Sequence, residues 1–259
     1  MLFRSLLSQL GVDFHFGTTI DAASLAELER EHDAVFFGIG LGGIHRLGIA
    51  GEDLPGVTNA LDLIAGYKSG ELTTVPARVV VVGAGNTAID AAIASVRLGA
   101  TEVHVAYRRG PEQMSAFSFE YEHARSEGVQ FLWHVQPTSI RGDRFVEGLE
   151  LTKLASTEDG SIVPKEGSEF LLATDLIVLS IGQSTHTAFL SEYGNEGAKV
   201  QLERGRILID RATGQTSNPK FFAGGDCTNG GREVVDAVAD GKRAGIGIAA
   251  WLEEQHVQA

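Results

Sequence analysis

The sequence contains a single cysteine, Cys227, among its 259 residues. A lone cysteine forms neither an internal disulfide nor a CxxC redox pair, and it does not supply the four thiolates of an iron–sulfur cluster. Any iron–sulfur chemistry connected with this protein is therefore expected on another chain.

Long apolar runs and positive charge are also scarce. No apolar run reaches the roughly 18 residues that a membrane span requires, and the N-terminal segment MLFRSLLSQLGVDFHF has too many polar residues for a signal peptide. The formal net charge is −13 and no window is strongly basic, which argues against nucleic acid or an anionic membrane as the main partner. We therefore expect a cytoplasmic protein.

Glycine is abundant, with 32 residues, and apolar segments alternate with segments rich in helix formers. Helices are predicted at the N-terminus up to Gly11 and over residues 21–31, 60–68, 86–98, 120–127 and 232–254. Strands are predicted over residues 12–16, 33–40, 78–82, 101–109, 129–135, 174–182 and 220–227, with an antiparallel excursion over residues 139–173. This alternation predicts an α/β fold with a parallel sheet.

Three of the predicted strands end in glycines, namely Gly38 and Gly40, Gly182, and Gly224 with Gly225. In open parallel sheets, ligands bind beyond the carboxyl ends of the strands. Three such ends, together with one dinucleotide turn, are more than a single ligand needs. The pattern therefore indicates two cofactors.

The segment VVVVGAGNTAIDAAIASVRLGA has the pattern of a strand, a glycine turn and a helix. Gly83 would permit the tight turn, Gly85 would let the backbone approach a pyrophosphate, and Ala88 replaces the third glycine of GxGxxG. The amides of Asn86 and Thr87, at the start of the helix, would face the phosphates. The segment predicts a dinucleotide site, the alternative being a glycine turn that only packs tightly.

The residues about 20 positions further on distinguish NADPH from NADH. An NAD site needs a carboxylate there to bind the ribose 2′-hydroxyl, but this sequence has Tyr107, Arg108 and Arg109. An arginine can bind a 2′-phosphate through two hydrogen bonds, so the pattern favours NADPH over NADH. Two alternatives stay open: both arginines could be solvated surface charges, or one could stack on adenine without selecting the phosphate.

Three motifs in a fixed order cover nearly the whole chain. They are GIGLGGIHRLGIAGEDLPGVTNALDLI, then VVVVGAGNTAIDAA with RLGATEVHVAYRRGPEQMSA, and finally FFAGGDCTNGGREVVDAVADGKRA. Together they resemble the glutamate synthase small subunit and its relatives, which include the FAD/NADPH half of dihydropyrimidine dehydrogenase. The resemblance implies a Rossmann-like two-dinucleotide-binding flavoprotein fold, with the NAD(P)H domain inserted into the FAD domain.

In that family hydride passes from NADPH to flavin N5, and the flavin carries the difficult chemistry. The resemblance therefore implies FAD and NADPH as cofactors and an electron-accepting partner subunit or iron–sulfur protein. No metal site is expected, because His104, His123 and His134 lack a metal-ligand spacing with carboxylates or cysteines. It implies that Asp226 accepts hydrogen bonds from the flavin ribityl chain and that the helix start near Val234 faces the flavin ring. Further implied contacts are Gly38 and Gly40 beside the flavin, Gly225 next to Asp226, and Gly182 and Gln183 at the end of the NAD(P)H domain.

The expected domains are a partial FAD-binding domain with a connection over residues 1–71, an NAD(P)H-binding domain over 72–183, and the C-terminal part of the FAD-binding domain over 184–259. Family members carry a further strand–GxGxxG–helix unit, which holds the FAD pyrophosphate, ahead of this region. The string GIGLGG at 38–43 ends a strand and does not open a helix. The FAD domain is therefore expected to be incomplete.

Two functions follow from this reading. The first is an oxidoreductase module in which NADPH reduces FAD and electrons pass to a partner subunit or domain. The second is a chain that binds NADP(H) but retains no flavin and is inactive alone. A disulfide reductase similar to thioredoxin reductase shares the fold, but it needs a CxxC, which the lone Cys227 excludes.

Overall fold

The structure, a computed structural model, describes residues 2–157, 161–193 and 200–258. Its helices are α1 (Leu2–Gln9), α2 (Ala22–Glu31), α3 (Ala60–Ser69), α4 (Asn86–Arg97), α5 (Ser118–Ser126), α6 (Ala188–Glu192), α7 (Asp226–Asn229) and α8 (Val234–Gln258). Its strands are β1 (Val35–Phe37), β2 (Gly43–Ile44), β3 (Val57–Asn59), β4 (Arg78–Val82), β5 (Glu102–Tyr107), β6 (Gln130–Trp133), β7 (Val135–Arg141), β8 (Gly148–Ser156), β9 (Ile162–Pro164), β10 (Phe170–Ala173), β11 (Leu176–Leu179), β12 (Gln183–Ser184), β13 (Leu202–Glu203), β14 (Arg206–Ile207) and β15 (Phe221–Ala223).

The described residues cluster into two compact units. Unit 1 consists of the described parts of residues 1–43 and 184–259, and unit 2 consists of those of residues 44–183. Unit 2 thus includes residues 44–71, which were expected to belong to the partial FAD-binding domain and its connection over residues 1–71. They belong to unit 2 because β3 pairs in parallel with β11 of that unit.

A parallel sheet in the order β3-β11-β4-β5-β6 forms the centre of unit 2. The valines of β4 point alternately to its two faces, Val79 and Val81 into one apolar core and Val80 and Val82 into the other. Because both faces of β4 are buried, an apolar side chain is needed at each of these positions. The predicted α/β fold with a parallel sheet is confirmed.

Helix α4 covers one face of this sheet, and antiparallel strands cover the other. Ala88, Ala91 and Ala92 of α4 are fully buried and allow the helix to pack closely. On the opposite face, β7, β8 and β10 pair antiparallel in the order β10-β8-β7, and Leu149 and Leu151 of β8 fill the core beneath them. The predicted antiparallel excursion is confirmed.

The single strand predicted over residues 129–135 is wrong, because the structure has two strands there. β6 pairs in parallel with β5, whereas β7 pairs antiparallel with β8. The chain changes direction between them at His134, which has a φ of 54°. That left-handed conformation is uncommon outside glycine, and the apolar pattern on both sides of His134 gives no sign of it.

Unit 1 contains a parallel pair of short strands, β1 and β15, with Val35 opposite Phe221. Their apolar core includes Phe37, Phe221 and Cys227, each buried. The strand predicted over residues 33–40 is shorter than expected, and it is not fully buried, since Phe36 is 40% exposed. Residues 38–42 lead from β1 into β2 without forming a helix.

The strand predicted over residues 12–16 is wrong. Gly11 ends α1 with a φ of 86°, as predicted, but the chain beyond it pairs with no strand among the described residues, and Phe16 is 68% exposed. Alternating apolar residues form a strand only where a neighbouring strand takes up the backbone hydrogen bonds. Within the described part of the chain, no helix is both long and apolar enough to cross a membrane.

Candidate nucleotide-binding site

The turn between β4 and α4 requires glycine at its first position. Gly83 has a φ of 124°, and a Cβ atom there would overlap the carbonyl oxygen of Ser180. The Gly83 amide donates to the carbonyl of Ala106 at 3.0 Å, so the turn is held to both neighbouring strands of the sheet. This close approach of three chain segments is possible only without a side chain.

Helix α4 begins with amides that are available to a ligand. Gly85 is its N-cap and supplies no side-chain cap, while its carbonyl accepts from the amide of Ala88 at 2.9 Å. The amides of Asn86 and Thr87 have no acceptor among the described residues. No acidic side chain lies in the first turn of α4, so the positive end of the helix dipole is not neutralised there.

A cavity of about 770 Å³ lies beyond the carboxyl ends of β3, β11, β4 and β5. This is the edge of a parallel sheet where ligands bind, and the volume is within the usual range for small-molecule sites. The predicted residues that line it are Gly83, Gly85, Thr87, Arg108, Arg109, Gly182 and Gln183. Asn86 and Ala88 belong to the same helix start but are not part of the lining.

The segment after β5 is fixed beside the glycine turn. The side-chain oxygen of Asn86 accepts from the Phe117 amide at 3.0 Å, which fastens residues 108–117 to the start of α4. The Tyr107 hydroxyl donates to the carbonyl of Gln113 at 2.9 Å, which closes the segment on itself. Asn86 thus supports the cavity wall with its side chain, while its backbone amide stays free.

Two arginines carry the positive charge at the β5 end of the cavity. Arg108 and Arg109 are exposed, and neither forms an ion pair with any described residue. The carbonyl of Arg109 accepts from the His134 amide at 3.3 Å. His134, which lies between β6 and β7, therefore also holds the backbone that carries the two arginines. Both guanidinium groups remain available to an anion in the cavity.

Residues 44–49 form a cavity wall that the sequence analysis treated only as a connection. The Glu52 carboxylate is buried and accepts from the amides of Leu47 at 2.7 Å and Gly48 at 2.8 Å. Arg46, which also lines the cavity, pairs with Asp53 at 2.6 Å, and this contact raises the pKa of the arginine. Nothing in the string GEDLPG distinguishes the buried Glu52 from the exposed Asp53, so the residues alone do not point to this wall.

Glu120 lies in the first turn of α5, near Asp90 of α4. Its Oε2 atom is buried and has no hydrogen-bond partner among the described residues. Burial, together with the nearby charge of Asp90, raises the pKa of the Glu120 carboxyl. No function follows from the contacts of this carboxyl.

The remaining predicted residues lie in unit 1, where β1 and β15 end at the same edge of their parallel pair. Gly40, with a φ of 60°, follows β1, and Gly225, with a φ of 74°, follows β15. Cys227 ties the two turns together, since its thiol donates to the carbonyls of Phe37 and Gly224. Burial raises the pKa of this thiol, so the cysteine stays protonated and serves a packing role.

Asp226 is the first residue of α7, and one of its two carboxylate oxygens accepts a hydrogen bond. Its Oδ1 accepts from the Arg232 amide at 3.0 Å, and Oδ2 has no partner among the described residues. Val234, the first residue of α8, is 75% exposed, and its amide and that of Val235 donate to no described acceptor. A free carboxylate oxygen and free helix amides fit the hydroxyls and the electron-rich edge of a ribityl-flavin.

The sequence matches the family model described as "Pyridine nucleotide-disulphide oxidoreductase" over residues 5–241. It is 37% identical over 277 residues to the glutamate synthase [NADPH] small chain of Escherichia coli K12, covering 96% of this chain and 57% of that one. It is 36% identical over 262 residues to the NADP(+)-dependent formate dehydrogenase subunit beta of Moorella thermoacetica, covering 96% of this chain and 36% of that one. The chain therefore spans about a third to just over half of these relatives.

A solved structure has the same fold. FprA of Mycobacterium tuberculosis in complex with NADPH superposes with a TM-score of 0.67 at 21% identity, over 90% of this chain and 66% of that one. The likeness at this identity concerns the fold alone. It confirms the predicted Rossmann-like fold, and the sequence matches confirm the resemblance to glutamate synthase small subunits.

Proposed function

The chain belongs to the pyridine nucleotide-disulphide oxidoreductase family, and on this premise we propose that it takes hydride from NADPH and passes electrons through FAD to a partner subunit or domain. The observation that carries the proposal is the cavity of unit 2. It brings together the free amides of α4, a glycine that admits no side chain, and two unpaired arginines. Relatives named as NADPH-dependent enzymes support it.

NADPH is the proposed electron donor because of the charges on the lining. The pyrophosphate would lie at Gly85 and Thr87, where the helix dipole stabilises negative charge. The ribose 2′-phosphate would then meet Arg108 and Arg109 at the end of the adjacent strand. Gly182 and Gln183, which follow β11, would lie on the nicotinamide side. NADH would leave both guanidinium groups without a counter-charge.

FAD is the proposed acceptor of the hydride, and when bound it supplies the conversion of a two-electron donor into single electrons for a partner. The residues of this chain would bind and orient it. Asp226 would accept hydrogen bonds from ribityl hydroxyls, and the free amides at Val234 would stabilise charge at the flavin edge. Gly38, Gly40 and Gly225 would keep side chains away from the ring.

The electron-accepting partner is proposed to be a separate subunit or an iron–sulfur protein. Two of the relatives are named as a small chain and a subunit beta, so both belong to larger assemblies. A lone cysteine supplies no cluster of its own. Its single thiol is also buried and bonded to backbone carbonyls.

The test is the visible spectrum of the purified chain after incubation with FAD and removal of the excess, followed by anaerobic titration with NADPH. We expect flavin absorbance near about 450 nm that bleaches as NADPH is added. Asp226→Ala is expected to retain much less flavin, whereas Asp143→Ala, an exposed carboxylate of unit 2, serves as the control. Bound flavin that NADPH does not bleach would contradict the proposal.

The second candidate is a chain that binds NADP(H) without retaining flavin. One observation favours it: every described residue that lines the nucleotide cavity belongs to unit 2, so this cavity does not depend on the unit 1 residues proposed to hold flavin. A colourless protein that takes up no FAD but still quenches NADPH fluorescence would establish this candidate. A protein that binds neither FAD nor NADPH would contradict both.

A further inference from the structure

A strained arginine occupies the tip of the hairpin formed by β13 and β14. Glu203 pairs with Arg206, so the loop consists of Arg204 and Gly205, with φ of 51° and 79°. Two-residue hairpins with positive φ at both positions strongly prefer Asn-Gly, because a Cβ atom crowds the following carbonyl oxygen in the left-handed region and asparagine offsets this cost with local hydrogen bonds. An arginine at such a position points to a function for its side chain.

The strained turn is held firmly in place. The hydroxyls of Thr185 and Thr187 both donate to the carbonyl of Gly205. The Arg206 guanidinium, one residue further on, donates to the Asn229 carbonyl at 3.2 Å. The guanidinium also lies against the backbone of Gly230: a Cβ atom added to Gly230 would come within 3.0 Å of the Arg206 Cζ atom. Neighbouring elements thus fix the backbone of the turn and the guanidinium group of Arg206.

Three arginines, Arg204, Arg206 and Arg211, line one cavity of about 340 Å³ together with Glu203 and the Thr228 region of α7. We propose that this cavity binds the phosphate group of a small molecule. Guanidinium forks match the tetrahedral oxyanion and donate paired hydrogen bonds to it. The site lies wholly in unit 1 and shares no residue with the nucleotide cavity of unit 2.

The positive charge of the three arginines is not fully neutralised by neighbouring carboxylates. None of the three arginines forms an ion pair with a described residue, and Glu203 is the one carboxylate among the described lining residues. The adjacent Asp210 is not among them, and its Oδ1 accepts from the amides of Ala212 and Thr213 at 2.7 and 3.1 Å. These contacts lower the pKa of Asp210 and keep it ionised, so the balance of three guanidinium groups and two carboxylates is one positive charge.

The substitution Arg204→Asn separates an effect on phosphate binding from an effect on stability, because it is expected to weaken binding while it raises the melting temperature. Asparagine is a preferred residue at this turn position, so the melting temperature without phosphate is expected to rise by about 2 °C. Loss of one guanidinium is expected to weaken inorganic phosphate binding by about tenfold or more. Arg144→Asn, an exposed arginine in unit 2 without an ion pair among the described residues, is the control.

The titration uses calorimetry with inorganic phosphate, on a chain that carries Arg108→Glu and Arg109→Glu so that the two arginines of the unit 2 cavity do not contribute; binding at the α4 amides is then common to all the variants compared. The expected result is phosphate binding that Arg204→Asn weakens and Arg144→Asn leaves unchanged. Equal binding by both variants, or no binding by their parent, would overturn the proposal. A response to AMP without a response to inorganic phosphate would also overturn it, because the group recognised would then be the nucleoside.

Discussion

Reversing both arginines at the end of β5, Arg108→Glu with Arg109→Glu, is expected to weaken NADPH binding by about a hundredfold or more, and NADH binding by about tenfold at most. Two charge-assisted hydrogen-bond partners of the 2′-phosphate are lost, and two carboxylates then face it. NADH has a hydroxyl at that position, so it loses only the weaker long-range attraction. The dissociation constants of both nucleotides, measured by fluorescence at fixed salt, give the ratio.

A control variant separates this contact from the overall charge. Arg144→Glu with Lys68→Glu makes the same change in net charge at two exposed positions of unit 2 that do not line the cavity. It is expected to change the affinity for either nucleotide only slightly, because solvent and salt screen exposed charges that do not contact the ligand. An equal loss of NADPH and NADH affinity in Arg108→Glu with Arg109→Glu would show that these arginines do not bind the phosphate.

Replacing the first glycine of the turn, Gly83→Ala, is expected to lower the free energy of unfolding by about 3–5 kcal/mol and the melting temperature by about 10 °C. Two costs combine there. The φ of 124° is strained for any residue with a Cβ atom, and that atom would overlap the carbonyl oxygen of Ser180. Thermal unfolding followed by circular dichroism measures the shift.

Gly99→Ala provides the matched comparison. Gly99 has a φ of 98°, but a Cβ atom added there would meet no other atom within 4 Å, so the substitution carries the conformational cost without the overlap. We expect Gly99→Ala to cost about 1 kcal/mol. Equal destabilisation by Gly83→Ala and Gly99→Ala would mean that the β4–α4 turn relaxes, and that the close approach to Ser180 is not required.

The parts of the site that follow from local sequence could be predicted. A run of valines followed by GAGNTA specifies a buried strand, a turn and a helix start within a few residues, and β4 and α4 begin at the expected positions, Arg78 and Asn86. The position of Arg108 and Arg109 could be predicted as well, because they follow β5, which is the neighbouring strand and ends beside the turn.

Two features could not be predicted, the first because it depends on pairing between distant strands and the second because it depends on the burial of a carboxylate. His134 breaks an apolar run because β6 and β7 pair with different strands, and nothing within residues 129–135 specifies which partner each strand finds. The wall that contains Arg46 depends on the buried carboxylate of Glu52 accepting two backbone amides. In a single sequence, such a carboxylate looks the same as a solvated one.

Hydrogen–deuterium exchange with saturating NADPH tests the central claim most directly, because it locates the nucleotide on the unmodified chain. Slower exchange is expected in residues 83–89, in residues 106–117, and at Gly182 and Gln183 of unit 2. Unchanged exchange in all three segments, with protection confined to residues 220–235 of unit 1, would contradict the assignment of this cavity to NADPH.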